Sequence, residues 1–125
     1  PIKEGSEGMQ GFEVVFYEKE DGSCPVEEFL KGLDAPMEAK MLRTIELLEN
    51  NGHNLREPYS KAIGDGIFEL RAKVSSDITR VLFFFAKGRQ IVLTNGFVKK
   101  TDKTPKSEID RAQKFRAEYL SREEG

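Results

Sequence analysis

Apolar positions along this chain change their period three times, and the changes divide it into four stretches. The run Phe12-Glu13-Val14-Val15-Phe16-Tyr17 is β-favouring and ends in the charged turn Glu18–Gly22, which predicts a first strand. Helical spacing then takes over. Val26, Phe29, Leu30 and Leu33 follow Pro25, a residue suited to a first helical position because its missing N–H would have no partner there. A longer helix is expected from about Asp34, with Pro36 and Glu38 both favourable near an N-terminus. Its apolar stripe is Met37, Met41, Leu42, Ile45 and Leu48, and Asn50-Asn51-Gly52 stops it, since glycine permits a left-handed cap. The two helices read as an αα-hairpin with an acidic outer face.

After Asn54–Tyr59 the period becomes two. Ile67–Lys73 puts Phe68 and Leu70 on one side and Glu69, Arg71 and Lys73 on the other. Ile78–Phe85 is nearly continuous apolar sequence interrupted by Arg80, the pattern of a central strand covered on both faces. Ala86-Lys87-Gly88-Arg89 predicts a tight hairpin and Gln90–Thr94 the next strand, with Asn95 opening a loop. Helical spacing returns at Thr104-Pro105, read as N-cap and first position, with Ile109, Ala112, Phe115, Tyr119 and Leu120 as the buried stripe. That helix is expected to dissolve at Arg122–Gly125. The order β-α-α-β-β-β-α predicts an α+β fold. An antiparallel sheet packs against an N-terminal helical hairpin and a C-terminal helix.

The leader PIKEGSEGMQG has no apolar period. It reads as a disordered segment or a cloning remnant, with Met9 a plausible natural start and residues 12–125 a single domain. At 125 residues, 38% hydrophobic and 34% charged, the composition is that of a one-domain globular protein. No apolar run reaches the roughly 20 residues that span a bilayer, so the expected location is cytoplasmic with no membrane partner. A single cysteine, Cys24, excludes an internal disulfide and any multi-cysteine metal site. Beside Pro25 it reads as an N-cap or a buried small residue.

Charge alters the picture more than composition does. The formal net charge is −2, yet residues 1–60 hold 6 Lys+Arg against 13 Asp+Glu, while residues 61–106 hold 10 against 4. Phosphate binding responds to local potential, so a segregated basic segment admits a nucleic-acid partner that the net charge would disfavour. Within it, Arg71 and Arg80 lie on neighbouring strands. An arginine in an apolar strand is costly unless paired, so each either meets a carboxylate (Glu69, Asp77 or a helix acid) or is kept for an anion. Lys99, Lys100 and Lys103 crowd the exit of the last strand, as a solvated turn or as a third part of one concave basic site. Such a site suits RNA scission. As a ribose 2′-OH attacks the adjacent phosphate, charge grows on the phosphoryl and leaving oxygens, and fixed Arg and Lys donors stabilise it. Acid–base candidates are sparse. His53 reads as an exposed loop residue, Tyr59 and Tyr119 as proton donors or packing residues, and Glu69 as a base or, more readily, a salt-bridge partner. No phosphate-binding glycine loop, paired metal-ligand spacing or nucleophile turn is present.

Three motifs in order, Phe68-Glu69-Leu70-Arg71, Thr79-Arg80-Val81-Leu82-Phe83-Phe84, and Leu93-Thr94-Asn95-Gly96-Phe97-Val98-Lys99-Lys100-Thr101 with Lys103-Thr104-Pro105, resemble the phage-derived, HigB-like branch of the RelE/ParE toxin superfamily. The likeness covers roughly residues 12–120. It implies a type II toxin that cleaves mRNA on the ribosome without a metal or other cofactor and is held inactive by a helix-turn-helix antitoxin. By motif position, Arg71, Arg80 and Lys100 look like the catalytic set, and Glu69, Lys73, Lys99 and Lys103 like RNA-binding residues. The sequence departs from the family in having Glu69 where a lysine is common and in lacking a placeable site tyrosine. Two other readings stand beside this one: a ParE-like toxin that binds a protein target such as gyrase, and an inactive relative that only binds its antitoxin.

Overall fold

The computed structural model describes residues 11–98 and 103–124. Five strands form one sheet: β1 (Glu13–Phe16), β2 (Ser60–Gly64), β3 (Ile67–Val74), β4 (Asp77–Ala86) and β5 (Gln90–Val98). Between β1 and β2 run α1 (Pro25–Lys31), α2 (Ala35–Asn51) and a short 3₁₀ turn (Gly52–Asn54), and α3 (Lys106–Glu124) closes the chain. The sheet order is β1-β5-β4-β3-β2. The α+β expectation is met, with α1 and α2 on one face and α3 on the other.

β2 to β5 form an antiparallel meander, and β1 lies parallel to β5, so the sheet is mixed rather than wholly antiparallel. The helical pair and the meander together supply the long crossover that a parallel pair needs. β2 is an addition to the expected order. It is a mostly exposed edge strand bearing Lys61, with no alternating apolar signal, and it forms because β3 would otherwise present an unpaired edge.

Helix ends follow local chemistry. Asp34 caps α2 by accepting from the Met37 N–H, and Gly52 at φ 53° donates to Leu48 O as the helix stops. A side chain at Gly52 would strike the Phe12 ring. Met37, Met41, Ile45 and Leu48 are buried as expected, whereas Leu42 is 47% exposed. The stripe is one column narrower than the apolar spacing suggests, and Thr44 occupies the buried face. α3 buries Ala112 and Phe115 and half-buries Tyr119, while Leu120 is exposed. Its regular structure runs to Glu124, past the expected fraying at Arg122.

β5 extends four residues beyond the expected end at Thr94. The β4–β5 register shifts between Leu82 and Phe83: Leu82 pairs with Asn95 and Phe83 with Leu93, leaving Thr94 as the extra residue. Such a bulge reverses the side-chain alternation. Asn95 and Phe97 therefore face α3, where the Asn95 amide donates to Glu108 Oε1 at 2.9 Å and Phe97 joins the α3-side core. Gly96 turns to the opposite face under Phe29 of α1, and a Cβ placed there would stand 2.4 Å from the ring. Overpacking of this kind costs about 1–3 kcal/mol. Gly96→Ala is expected to lower the unfolding free energy by that amount, seen as a lower urea midpoint with an unchanged denaturant slope.

Candidate nucleic-acid interface

β3 and β4 bring the two strand arginines together. Arg71 and Arg80 are direct cross-strand partners, so their side chains leave the sheet on the same face, that of α3. Like charges so placed repel. Glu69, two residues before Arg71 and hence on the same face, resolves the conflict. Its Oε1 accepts from Arg80 Nη1 at 2.6 Å and from Arg71 Nε at 3.2 Å. Its Oε2 accepts a short hydrogen bond from the Thr104 hydroxyl.

Glu69 is wholly buried, and Arg80 is 5% exposed. Burial pushes the Glu69 carboxyl up, but the Thr104 hydroxyl and the two guanidinium groups outweigh it and hold the carboxyl below its ordinary value. A carboxylate whose ionised form is favoured by three donors makes a poor general base. Of the two readings of Glu69, the structure favours the salt bridge, and its burial keeps it from direct contact with RNA. Arg80 commits one terminal nitrogen to Glu69, while its Nε is buried without a partner among the described residues.

Above this triad lies a cleft of about 440 Å³ lined by Lys40, Pro58, Tyr59, Arg71, Lys73, Ser75, Ile78 and Arg80. Four cations thus face it, over the single carboxylate beneath Arg71 and Arg80. Tyr59 is anchored by its backbone, whose carbonyl accepts from the Arg71 N–H at 2.8 Å, and its side chain is 40% exposed. Ser75 takes φ 56° in the two-residue turn between β3 and β4, a conformation costing a non-glycine residue about 1 kcal/mol.

Of the residues singled out from sequence, Arg71, Arg80 and Lys73 meet in the cleft and Glu69 lies under it. Lys103 is exposed, one position before Thr104. Lys99 and Lys100 lie outside the described residues, as do residues 1–10. Lys40 was missed because it belongs to the acidic half of the chain, where local charge counting hides it. Thr104 was assigned to capping α3, yet the helix begins at Lys106, the Pro105 carbonyl accepts from the Ile109 N–H, and the threonine hydroxyl is on Glu69.

The basic segment is not one surface. Arg89 packs over the Phe12 ring and donates to Gly11 O, far along the sheet from the cleft. Tyr119 donates to Gln90 at that same end of β5. His53 is exposed and stacks on Phe85. Cys24 is buried at the N-cap position of α1, with no cap hydrogen bond from its side chain, and burial pushes its thiol up, away from nucleophilic use. Among the described residues no group of three or more His, Cys, Asp or Glu converges as a metal site, and no helix is long and apolar enough to cross a membrane.

The family model for phage-derived Gp49-like proteins (DUF891) matches residues 28–117, a span that holds α2, all four meander strands and every described residue of the cleft. The chain belongs to the Gp49-like family. That family is associated with RelE-like toxins of toxin–antitoxin systems, which implies an antitoxin as partner. No curated protein matches the chain. The Gp49-like match stops short of β1 and of the end of α3, so it rests on the helical pair, the meander and the first turns of the last helix.

Removing the charge on Glu69 leaves two arginines opposed on one face, and breaking a buried pair in this way costs about 3–5 kcal/mol. Glu69→Gln is expected to lose stability on that scale in urea unfolding at neutral pH. The folded carboxyl sits below its ordinary value of 4.5, so its contribution is complete above that pH and lost as pH falls through the lower folded value. The stability gap between wild type and Glu69→Gln should accordingly narrow on acidification. A constant gap would contradict this assignment.

Proposed function

We propose that this Gp49-like protein is the toxin of a type II toxin–antitoxin pair, of the HigB-like kind, and acts as a ribosome-dependent mRNA endonuclease. The observation that carries the reading is the Arg71–Arg80 pair, fixed by one buried carboxylate and opening on a cleft that also gathers Lys40 and Lys73. Two guanidinium groups held in register suit a phosphodiester. Arg forks match phosphate oxygens and remain charged at every physiological pH, while Lys40 and Lys73 act as point charges along the flanking backbone.

In this reading the 2′-OH gives up its proton to water as its oxygen attacks the adjacent phosphorus, and the bond to the 5′-oxygen breaks, leaving a 2′,3′-cyclic phosphate and, once that oxygen takes a proton, a free 5′-hydroxyl. Arg71 and Arg80 stabilise the charge that grows on the phosphoryl oxygens. They do so without reorganising, because Glu69 already holds them. Tyr59 offers an exposed aromatic face on which an unpaired base can stack. Lys99, Lys100 and Lys103 belong to the same proposal as phosphate contacts, with Lys100 a donor to the leaving oxygen. The chemistry requires no metal or other cofactor. The expected partners are mRNA on the ribosome and a helix-turn-helix antitoxin, which fits a cytoplasmic site of action.

The test uses induced expression of wild type, Arg71→Ala and Arg80→Lys, followed by mapping of mRNA 5′ ends. Lysine at position 80 keeps a charge for Glu69 but not the fork, so the core survives while phosphate geometry is lost. Wild type is expected to cut within translated codons, and each variant to cut about 10²–10³-fold more slowly, the scale of one lost oxyanion donor. Growth arrest with intact mRNA and a DNA-damage response would instead mark a toxin that binds a protein target such as gyrase. A folded, non-toxic wild type would mark a relative that only binds its antitoxin. Lys40→Ala should weaken RNA association and flatten its salt dependence while leaving the cleavage step largely intact.

A further inference from the structure

Beneath the cleft, Glu69 has two oxygens with different duties. Oε1 holds both arginines, and Oε2 is occupied by the Thr104 hydroxyl. Thr104 is half-buried and lies in neither a strand nor a helix, two residues ahead of α3. It is the one described group outside β3 and β4 that binds this carboxylate. A carboxylate bound through Oε1 alone can rotate about its terminal torsion, which is soft. Rotation would take Oε1 away from one arginine or the other.

We propose that Thr104 is a positioning residue for the arginine pair: its hydroxyl pins Oε2, sets the carboxylate plane, and so fixes where both guanidinium groups sit in the cleft. This role rests on the cleft being the phosphate site. The bond also ties the entry of α3 to the floor of the cleft. A second tie lies close by, where the Asn95 amide donates to the Glu108 carbonyl and carboxylate in the first turn of the helix. Thr104 is not one of the residues that line the cleft; it acts through Glu69.

Among the described residues, the charged groups that face Glu69 are Arg71 on its own strand and Arg80 on β4, while Lys61 on β2 is its cross-strand neighbour. Glu108 of α3 is engaged with Asn95 and Arg111. None of these is altered by a change at position 104, so a shift in Glu69 titration reports on the lost hydroxyl.

Three variants of the full chain test the role. Thr104→Val keeps shape and removes the donor, Thr104→Ser keeps the donor, and Thr104→Ala removes it with no new bulk should valine fail to fold. Two readouts are taken: mRNA cleavage on programmed ribosomes, and NMR of the Glu69 carboxyl carbon and the Arg71 and Arg80 Nε–H groups across a pH titration. Thr104→Val and Thr104→Ala are expected to lower kcat about tenfold, the scale of one hydrogen bond to a charged group, with KM little changed. They should also raise the Glu69 titration midpoint and move both arginine signals. Thr104→Ser should restore all of these.

If wild type cuts no mRNA, the endonuclease reading fails, and the NMR arm still decides whether Thr104 positions the triad. Unmoved arginine signals and an unmoved Glu69 midpoint in a folded Thr104→Val or Thr104→Ala protein would overturn the proposal, as would a serine variant no better than valine.

Discussion

One carboxylate makes the rest of this sheet possible. Arg71 and Arg80 are paired across two central strands on a face that α3 covers over much of its area, and two unscreened guanidinium groups in that position would push the strands apart. Glu69 converts the repulsion into a shared salt bridge with no solvent access of its own. Ion pairs of this sort are weak arguments for stability, since desolvation offsets most of the attraction. Their effect here is geometric. They place two forked donors side by side on rigid strands at the edge of a cleft, and they keep the carboxylate ionised.

The three-layer arrangement serves that geometry. α1 and α2 seal one face of the sheet with an apolar cluster around Met41, Leu70, Val81 and Phe83, on the side away from the arginines. On the other face α3 covers Leu82, Phe84 and Val92 through Ala112 and Phe115. The bulge at Thr94 links the two halves: without it, Asn95 and Phe97 would point away from α3. A single extra residue in β5 thus decides whether the helix docks where Thr104 can reach Glu69.

Much of this was legible in the sequence. The two-residue alternation of Ile67–Lys73 put Glu69 and Arg71 on one face, and the apolar run of β4 showed that Arg80 needed a partner. β2 was invisible because a short, mostly exposed edge strand carries no apolar alternation. The bulge was hidden for a related reason, since Leu93-Thr94-Asn95 reads equally well as a strand running into a loop. Lys40 could not be found by counting charge along the chain, because α2 crosses from the acidic half to the basic cleft only in three dimensions. Thr104-Pro105 has the composition of a helix cap, and only the position of Glu69 beneath it reveals the other use of the hydroxyl.

The central claim is that the Glu69-organised arginine pair is where RNA phosphate binds. The most direct measurement is a titration of the isotope-labelled protein with a short single-stranded RNA carrying 2′-O-methyl groups at each position so that it cannot be cut, followed by NMR of arginine Nε–H and tyrosine ring signals. Saturable shifts are expected at Arg71, Arg80 and Tyr59, weakening steeply with salt as phosphate contacts should. Shifts confined to other surfaces, such as the face of α3 around Arg111 and Lys114, with the arginine pair unmoved, would contradict it.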